Sequence, residues 1–160
     1  MAESSREAGV GPMASVAGVM AEFVGKGLLN FSKEIIVENG GDIFLKTLQN
    51  RTVAIYAGES PLSGEIGVEI TPSMGPVGVC TSSGKVGHSL SFGNADSVTV
   101  ISKSTALADS WATSLANRIK SSSDIKKTIE CAFKINGIMG VIIIVDDKVG
   151  FAGKINILKV

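Results

Sequence analysis

Three short patches of this 160-residue chain put polar side chains where chemistry is feasible. The first is Glu38-Asn39-Gly40-Gly41-Asp42, set between two apolar runs. Paired glycines let consecutive backbone amides turn into one concavity, which is how an anion is held without side chains. The plainer account of the same residues is a hairpin turn. The second patch, Cys80 to Ser91, gathers Thr81, Ser82, Ser83, Gly84 and Lys85, followed by His88, the only histidine present. Hydroxyls, amides and the lysine could grip a phosphate-bearing ligand, and His88 is the one imidazole available for proton transfer. The competing account is a long solvated loop. In the third patch, Thr105 to Ala116, Asp109 and Thr113 stand at i and i+4, hence on one helix face. Their neighbours Ala106, Ala108, Ala112 and Leu115 are apolar. A carboxylate and a hydroxyl on a mainly buried face need a partner, and a hard cation such as Mg²⁺ accepts both. Alternatively the aspartate caps a neighbouring amide while the threonine bonds its own i−4 carbonyl.

Several familiar motifs fail on spacing. Five residues separate Gly78 from Gly84, and Val86 follows Lys85, so the P-loop pattern and its magnesium-ligand hydroxyl are both missing. Gly58 to Leu62 ends on the wrong residue for a nucleophile elbow. Two cysteines, Cys80 and Cys131, make neither a disulfide framework nor a zinc site and read as buried thiols. Fifteen basic and fifteen acidic side chains cancel, which speaks against a coat for nucleic acid or an anionic membrane. At 44% apolar and 19% charged residues, disorder is excluded. No apolar run approaches the roughly 20 residues of a membrane span, and Glu3 and Glu7 do not suit a secretory leader. A cytoplasmic protein without nucleic-acid or membrane partners is therefore expected.

The elements that must position these patches follow from periodicity. Residues 1–12 read as a loose lead-in, and 13–160 as a single domain without linker or repeat. Apolar residues recur at helical spacing from Met13 to about Leu29, where glycines at 18, 25 and 27 require packing, with another backbone close by, to hold the helix. Glu34 to Glu38 reads as a strand, and Ile43 to Leu48 with Thr52 to Tyr56 as a hairpin around Gln49, Asn50 and Arg51. Further strands are expected at 65–70, 77–80 and 96–101, with Thr81 to His88 as loop. Ser104 suits the N-cap of a helix running to about Ile119, and a second helix covers Ser123 to Phe133. The β-branched run from Gly140 to Val145 suits a strand buried on both faces, followed by a turn and a last strand ending near Leu158. The class is α+β, with helices packed on a largely antiparallel sheet.

Taken in order, Gly40-Gly41-Asp42, Thr81-Ser82-Ser83-Gly84 and Ala106-Leu107-Ala108-Asp109 with Thr113 and Leu115 resemble the ApbE superfamily of flavin transferases. The likeness is stronger to an uncharacterised ApbE-like branch found largely in archaea and some bacteria. It extends through GVGPMASVAG, ENGGDIF, YAGESPLSG, CTSSGKVGHSLSFG and ALADSWAT. The resemblance implies an ApbE-like fold, here expected to lack N-terminal strands and so to expose a sheet edge suited to homo-oligomers. It implies Mg²⁺ held by Asp109, Thr113 and the carbonyl of Ala14, with Gly40, Gly41, Asp42 and Thr81 to Lys85 around FAD or another flavin nucleotide. It also leaves His88 for catalysis. As an enzyme the chain would transfer FMN from FAD to a hydroxyl, or cleave the FAD diphosphate. The alternative is a non-catalytic interaction or scaffold protein that keeps the fold.

Overall fold

The computed structural model describes residues 1–85 and 92–160. Helices α1 (Ala2–Ala8), α2 (Val16–Leu28), α3 (Thr105–Ala116) and α4 (Ile125–Ala132) accompany nine strands. Six of these, β1 (Ile35–Asn39), β2 (Asp42–Lys46), β5 (Val77–Ser82), β6 (Ser97–Ser102), β7 (Ile138–Val145) and β8 (Lys148–Gly153), form one sheet in the order β1-β2-β5-β6-β7-β8. The other three, β3 (Arg51–Ala54), β4 (Ile66–Ile70) and β9 (Asn156–Lys159), form a second sheet in the order β3-β4-β9. All neighbouring strands run antiparallel. The α+β class and the antiparallel sheets expected from the sequence are present.

The large sheet is the middle layer. Strand side chains alternate between its faces, and β7 shows the consequence most clearly. Val141 and Ile143 join α3 through Ala108, Ala112 and Leu115. Ile142 and Ile144 join the small sheet through Val68 and Ile70. Every residue from Gly140 to Val145 is buried, as its unbroken β-branched run requires.

Close contacts fix the helices on this sheet. A Cβ on Gly78 of β5 would lie 2.4 Å from the Thr105 Cα, so the start of α3 rests directly on the strand. Ser104 caps α3 by accepting the Leu107 amide at 3.3 Å. On α2, a Cβ on Gly25 would lie 2.1 Å from the ring of Phe44, a fully buried side chain. Gly27, by contrast, faces open space. The variant Gly25→Ala is expected to lose about 1–3 kcal/mol by overpacking, read as a lower urea midpoint with an unchanged slope. An unchanged midpoint would show that α2 shifts freely.

Three expectations need correction. The lead-in is not loose: Ala2–Ala8 is a helix ended by Gly9 at φ 70°. It is held by the Ser5–Ser15 hydroxyl pair at 3.0 Å and by the Ser114 hydroxyl donating to the Ala8 carbonyl at 2.6 Å. The Ile43–Leu48 and Thr52–Tyr56 segments are not a hairpin, because β2 is paired along both edges, with β1 and with β5. Residues 47–50 instead cross to the small sheet, fastened by Glu34, which accepts from Thr47 Oγ1, the Leu48 amide and Arg51. The last strand is two strands, since the chain leaves β8 at Gly153 (φ 128°) and ends in the small sheet as β9. Among the described residues no single helix is long and apolar enough to cross a membrane.

Candidate functional site

The start of α2, the β1–β2 turn, the end of β5, one face of α3 and the β3 edge of the small sheet surround a cleft of about 950 Å³. That lies in the range of small-molecule and cofactor sites, roughly 300–1,000 Å³. The cleft is where the three sequence patches meet. Gly40 and Gly41 turn the chain with φ of 64° and 95°, values that favour glycine. The turn is tied to α2 by Asn39, whose side-chain amide donates to the Ala17 carbonyl at 3.3 Å. Thr81 and Ser82 continue β5 instead of beginning a loop, and the Thr81 and Thr99 hydroxyls pair at 2.8 Å on the cleft wall. Ser83, Ala14, Asp109 and Thr113 also line it.

Asp109 has two tasks. Its Oδ2 accepts the Gly18 amide at 2.8 Å. In a regular helix that amide would donate to the Ala14 carbonyl four residues back. Here it is spent on α3, the α-helix begins only at Val16, and the Ala14 carbonyl lacks that partner. The packing allows no side chain at position 18, where a Cβ would lie 2.8 Å from the Asp109 Cβ. Glu22, one turn further along α2, repeats the fastening: it accepts the Ala106 amide at 3.1 Å and pairs with Lys26. Burial pushes the Glu22 carboxyl up, but Lys26 and the Ala106 amide outweigh it and hold the group below its ordinary value. The capping role foreseen for Asp109 is thus real, and it leaves Oδ1 for the cleft.

The electrostatics are those of uncompensated acid. Burial pushes Asp42 up to about 7, with the nearby charge of Asp109 adding to the effect. Burial likewise raises Asp109 to about 6, against the Gly18 hydrogen bond. The Cys80 thiol beneath them is pushed up by burial and by both carboxylates, so it stays protonated and unreactive. Asp42 Oδ1 is buried without a hydrogen-bond partner among the described residues. Glu38 adds a third acid to the wall, and no lysine or arginine lines the cleft among the described residues.

Two residues assigned to the ligand from sequence do other work. Lys85 is not on the cleft wall; its Nζ sits 3.0 Å from both Asp96 Oδ1 and Asp146 Oδ1. Its ion pairs hold that ammonium above its ordinary value. Gly84 donates its amide to the Ala95 carbonyl at 2.9 Å, and a Cβ there would meet the Gly93 oxygen at 2.0 Å. His88 lies outside the described residues. The cleft also has a member to which the sequence reading gave no role, although it opens the YAGESPLSG motif: Tyr56, the only tyrosine, stands 68% exposed on the small-sheet wall. Its signal was an aromatic at the end of a strand directly before the turn residues Ala57 and Gly58.

The sequence profile of the family described as AbpE bacteria matches residues 1–149. A UPF0280 protein of Methanococcus vannielii is 50% identical over 160 residues, covering 97% of this chain and 65% of its own length. UPF0280 protein MJ1526 of Methanocaldococcus jannaschii is 46% identical, again over 97% and 65% of the two chains. The chain therefore spans slightly under two thirds of the length of these relatives. Among solved structures, the apo form of Pseudomonas stutzeri flavinyl transferase ApbE superposes with a TM-score of 0.58 at 18% identity, covering 86% of this chain and 48% of that one. The fold is thus ApbE-like.

Proposed function

Because the chain belongs to the family described as AbpE bacteria, we propose that its cleft binds a flavin nucleotide, or a diphosphate ligand of similar chemistry, together with Mg²⁺. One observation carries this reading: the cleft has three carboxylates and no basic side chain among its described lining residues. A bare diphosphate facing such a wall meets charge repulsion that no described lysine or arginine on the wall offsets. One like-charge pair at 4 Å costs about 4 kcal/mol at an effective dielectric of 20. A divalent cation between wall and phosphates attracts both, and these attractions offset the repulsion.

The donors suit a hard cation, which takes oxygen ligands from carboxylates, hydroxyls and carbonyls. Asp109 Oδ1, the Thr113 hydroxyl and the Ala14 carbonyl would hold it, the last released from its helical partner by the Gly18–Asp109 bond. Bound there, the ion supplies charge neutralisation for a transferring phosphoryl group. Gly40 and Gly41 present turn amides, and Thr81, Ser82 and Ser83 present hydroxyls, to the phosphates and ribose. Ile43, Val53, Ile55 and Val79 form an apolar floor for a flat ring, with Tyr56 at its rim. The chemistry proposed is attack of a hydroxyl on the FMN phosphorus of FAD, breaking the diphosphate P–O bond with AMP leaving, or the same cleavage by water to FMN and AMP, with His88 accepting the proton of the attacking oxygen. That the structural neighbour is a flavinyl transferase supports the choice of ligand.

Titration of the chain with FAD in Mg²⁺ and in EDTA tests the reading. Binding is expected in Mg²⁺ alone, with a rise in thermal midpoint worth about 2.7 kcal/mol at a hundredfold excess over Kd. Equal affinity in EDTA would remove the cation from the site. Absence of FAD binding under both conditions would favour a scaffold protein that retains only the fold.

A further inference from the structure

We propose that Asp42 is a second carboxylate ligand of the cleft cation, so that the ion is held by two aspartates and loads before any nucleotide. This rests on the cation site above but assigns a residue that the turn geometry alone would leave as part of a hairpin.

Asp42 opens β2, pairs across the tight turn with Asn39, and lies opposite Cys80 of β5. Its side chain is only 8% exposed, and Oδ1 finds no donor among the described residues. A buried carboxylate oxygen without a donor is strongly unfavourable when ionised, and folded proteins usually supply an amide, a hydroxyl or a cation. The candidates nearby are poor: a thiol, Cys80, and the Thr81 amide act on this carboxyl, while the strongest charged neighbour is another acid, Asp109. Two acids that repel each other across a cleft, one with an empty oxygen, form a donor set completed by a divalent ion. Among the described residues no three His, Cys, Asp or Glu side chains are placed to hold one ion, so backbone and hydroxyl oxygens must complete the set. Two carboxylates with a hydroxyl and a carbonyl suit Mg²⁺, Mn²⁺ or Ca²⁺.

Metal binding without nucleotide tests this site separately from the flavin reading. Mn²⁺ is titrated into the whole chain at pH 8, free ion being read by electron paramagnetic resonance. One site is expected. Asp42→Asn should weaken it by roughly tenfold or more, since ligand charge sets affinity in such sites, and Asp42→Glu should retain part of it. Asp109→Asn should weaken it comparably. Thermal unfolding of Asp42→Asn in EDTA serves as the folding control and should show a midpoint no lower than wild type. Mn²⁺ affinity within twofold of wild type in folded Asp42→Asn, or no Mn²⁺ bound by wild type at millimolar ion, overturns the assignment. Mn²⁺ binding that depends on Asp42, with FAD affinity indifferent to metal, would instead retain this site and discard the nucleotide reading.

Discussion

Asp109→Ala is expected to abolish the Mg²⁺-dependent binding of FAD, by roughly a hundredfold or more, and also to loosen the junction of α2 with α3. The first effect follows from removing a charged ligand from a wall that has no basic side chain among the described residues to compensate. The second follows from the Gly18 amide, whose 2.8 Å hydrogen bond ends on this carboxylate. A buried donor left without an acceptor costs about 1–3 kcal/mol. Asp109→Asn keeps an acceptor oxygen and loses only the charge, so it should lose the metal response while retaining the stability of the junction. Calorimetric titration of the two variants at pH 8 reads the first role. Urea unfolding at pH 5, where the wild-type carboxyl is largely neutral, reads the second. Full Mg²⁺-dependent FAD affinity in Asp109→Ala would exclude this residue from the site.

In EDTA, the protein is expected to be more stable at pH 5 than at pH 8, and saturating Mg²⁺ should remove most of that difference. Asp42 and Asp109 are raised to about 7 and about 6 from an ordinary value near 3.8. Between the unfolded and folded values the native state binds more protons than the unfolded chain. The proton difference ν(unfolded) minus ν(native) is then negative, and stability falls as pH rises through that window. A tenfold change in a carboxyl's proton affinity on folding is worth about 1.4 kcal/mol, so the pair together contributes a loss on the order of several kcal/mol across it. The titration belongs to the two carboxyls jointly. Glu22, Glu34 and Asp124 are displaced the opposite way, and their stabilisation is lost only as pH falls through their lowered values, below about 4.5. Among the described residues, thermal midpoints between pH 5 and pH 8 therefore report chiefly on the raised pair, and a His88→Gln variant removes the one histidine from the comparison. A midpoint in EDTA that is flat or rises across that range would contradict the buried, unpaired state of Asp42.

Elements with strong local signals were legible in the sequence. The Ser104 cap and apolar spacing of α3, the β-branched run of β7 and the paired glycines before Asp42 all contain their own instructions, and the structure realises each of them. Residues whose role depends on distant partners were not. Lys85 beside a glycine-rich loop looks like a phosphate ligand until Asp96 and Asp146, far along the chain, are seen to claim it. The small sheet was invisible for a related reason: β3, β4 and β9 come from separate parts of the chain, and only tertiary pairing joins them. For α1, Glu3 near its start and Gly9 at its end were present as cues, but its buried face is only Ser5 and Ala8. Such a short polar segment shows no apolar periodicity. In the site, i,i+4 spacing located Asp109 and Thr113, whereas the empty Oδ1 of Asp42 could be recognised only once its neighbours were in place.

The shared use of Asp109 also constrains how this protein can change. One oxygen holds the first turn of α2, and on the proposed reading the other would hold the cation, which would join scaffold and occupant through a single carboxylate. A descendant without the cation could exchange the aspartate for asparagine, but a side chain without an acceptor would leave the Gly18 amide to find another partner. That requirement alone would preserve an acceptor at this position, aspartate or asparagine, so the persistence of such a residue would record architecture whether or not a cation is bound.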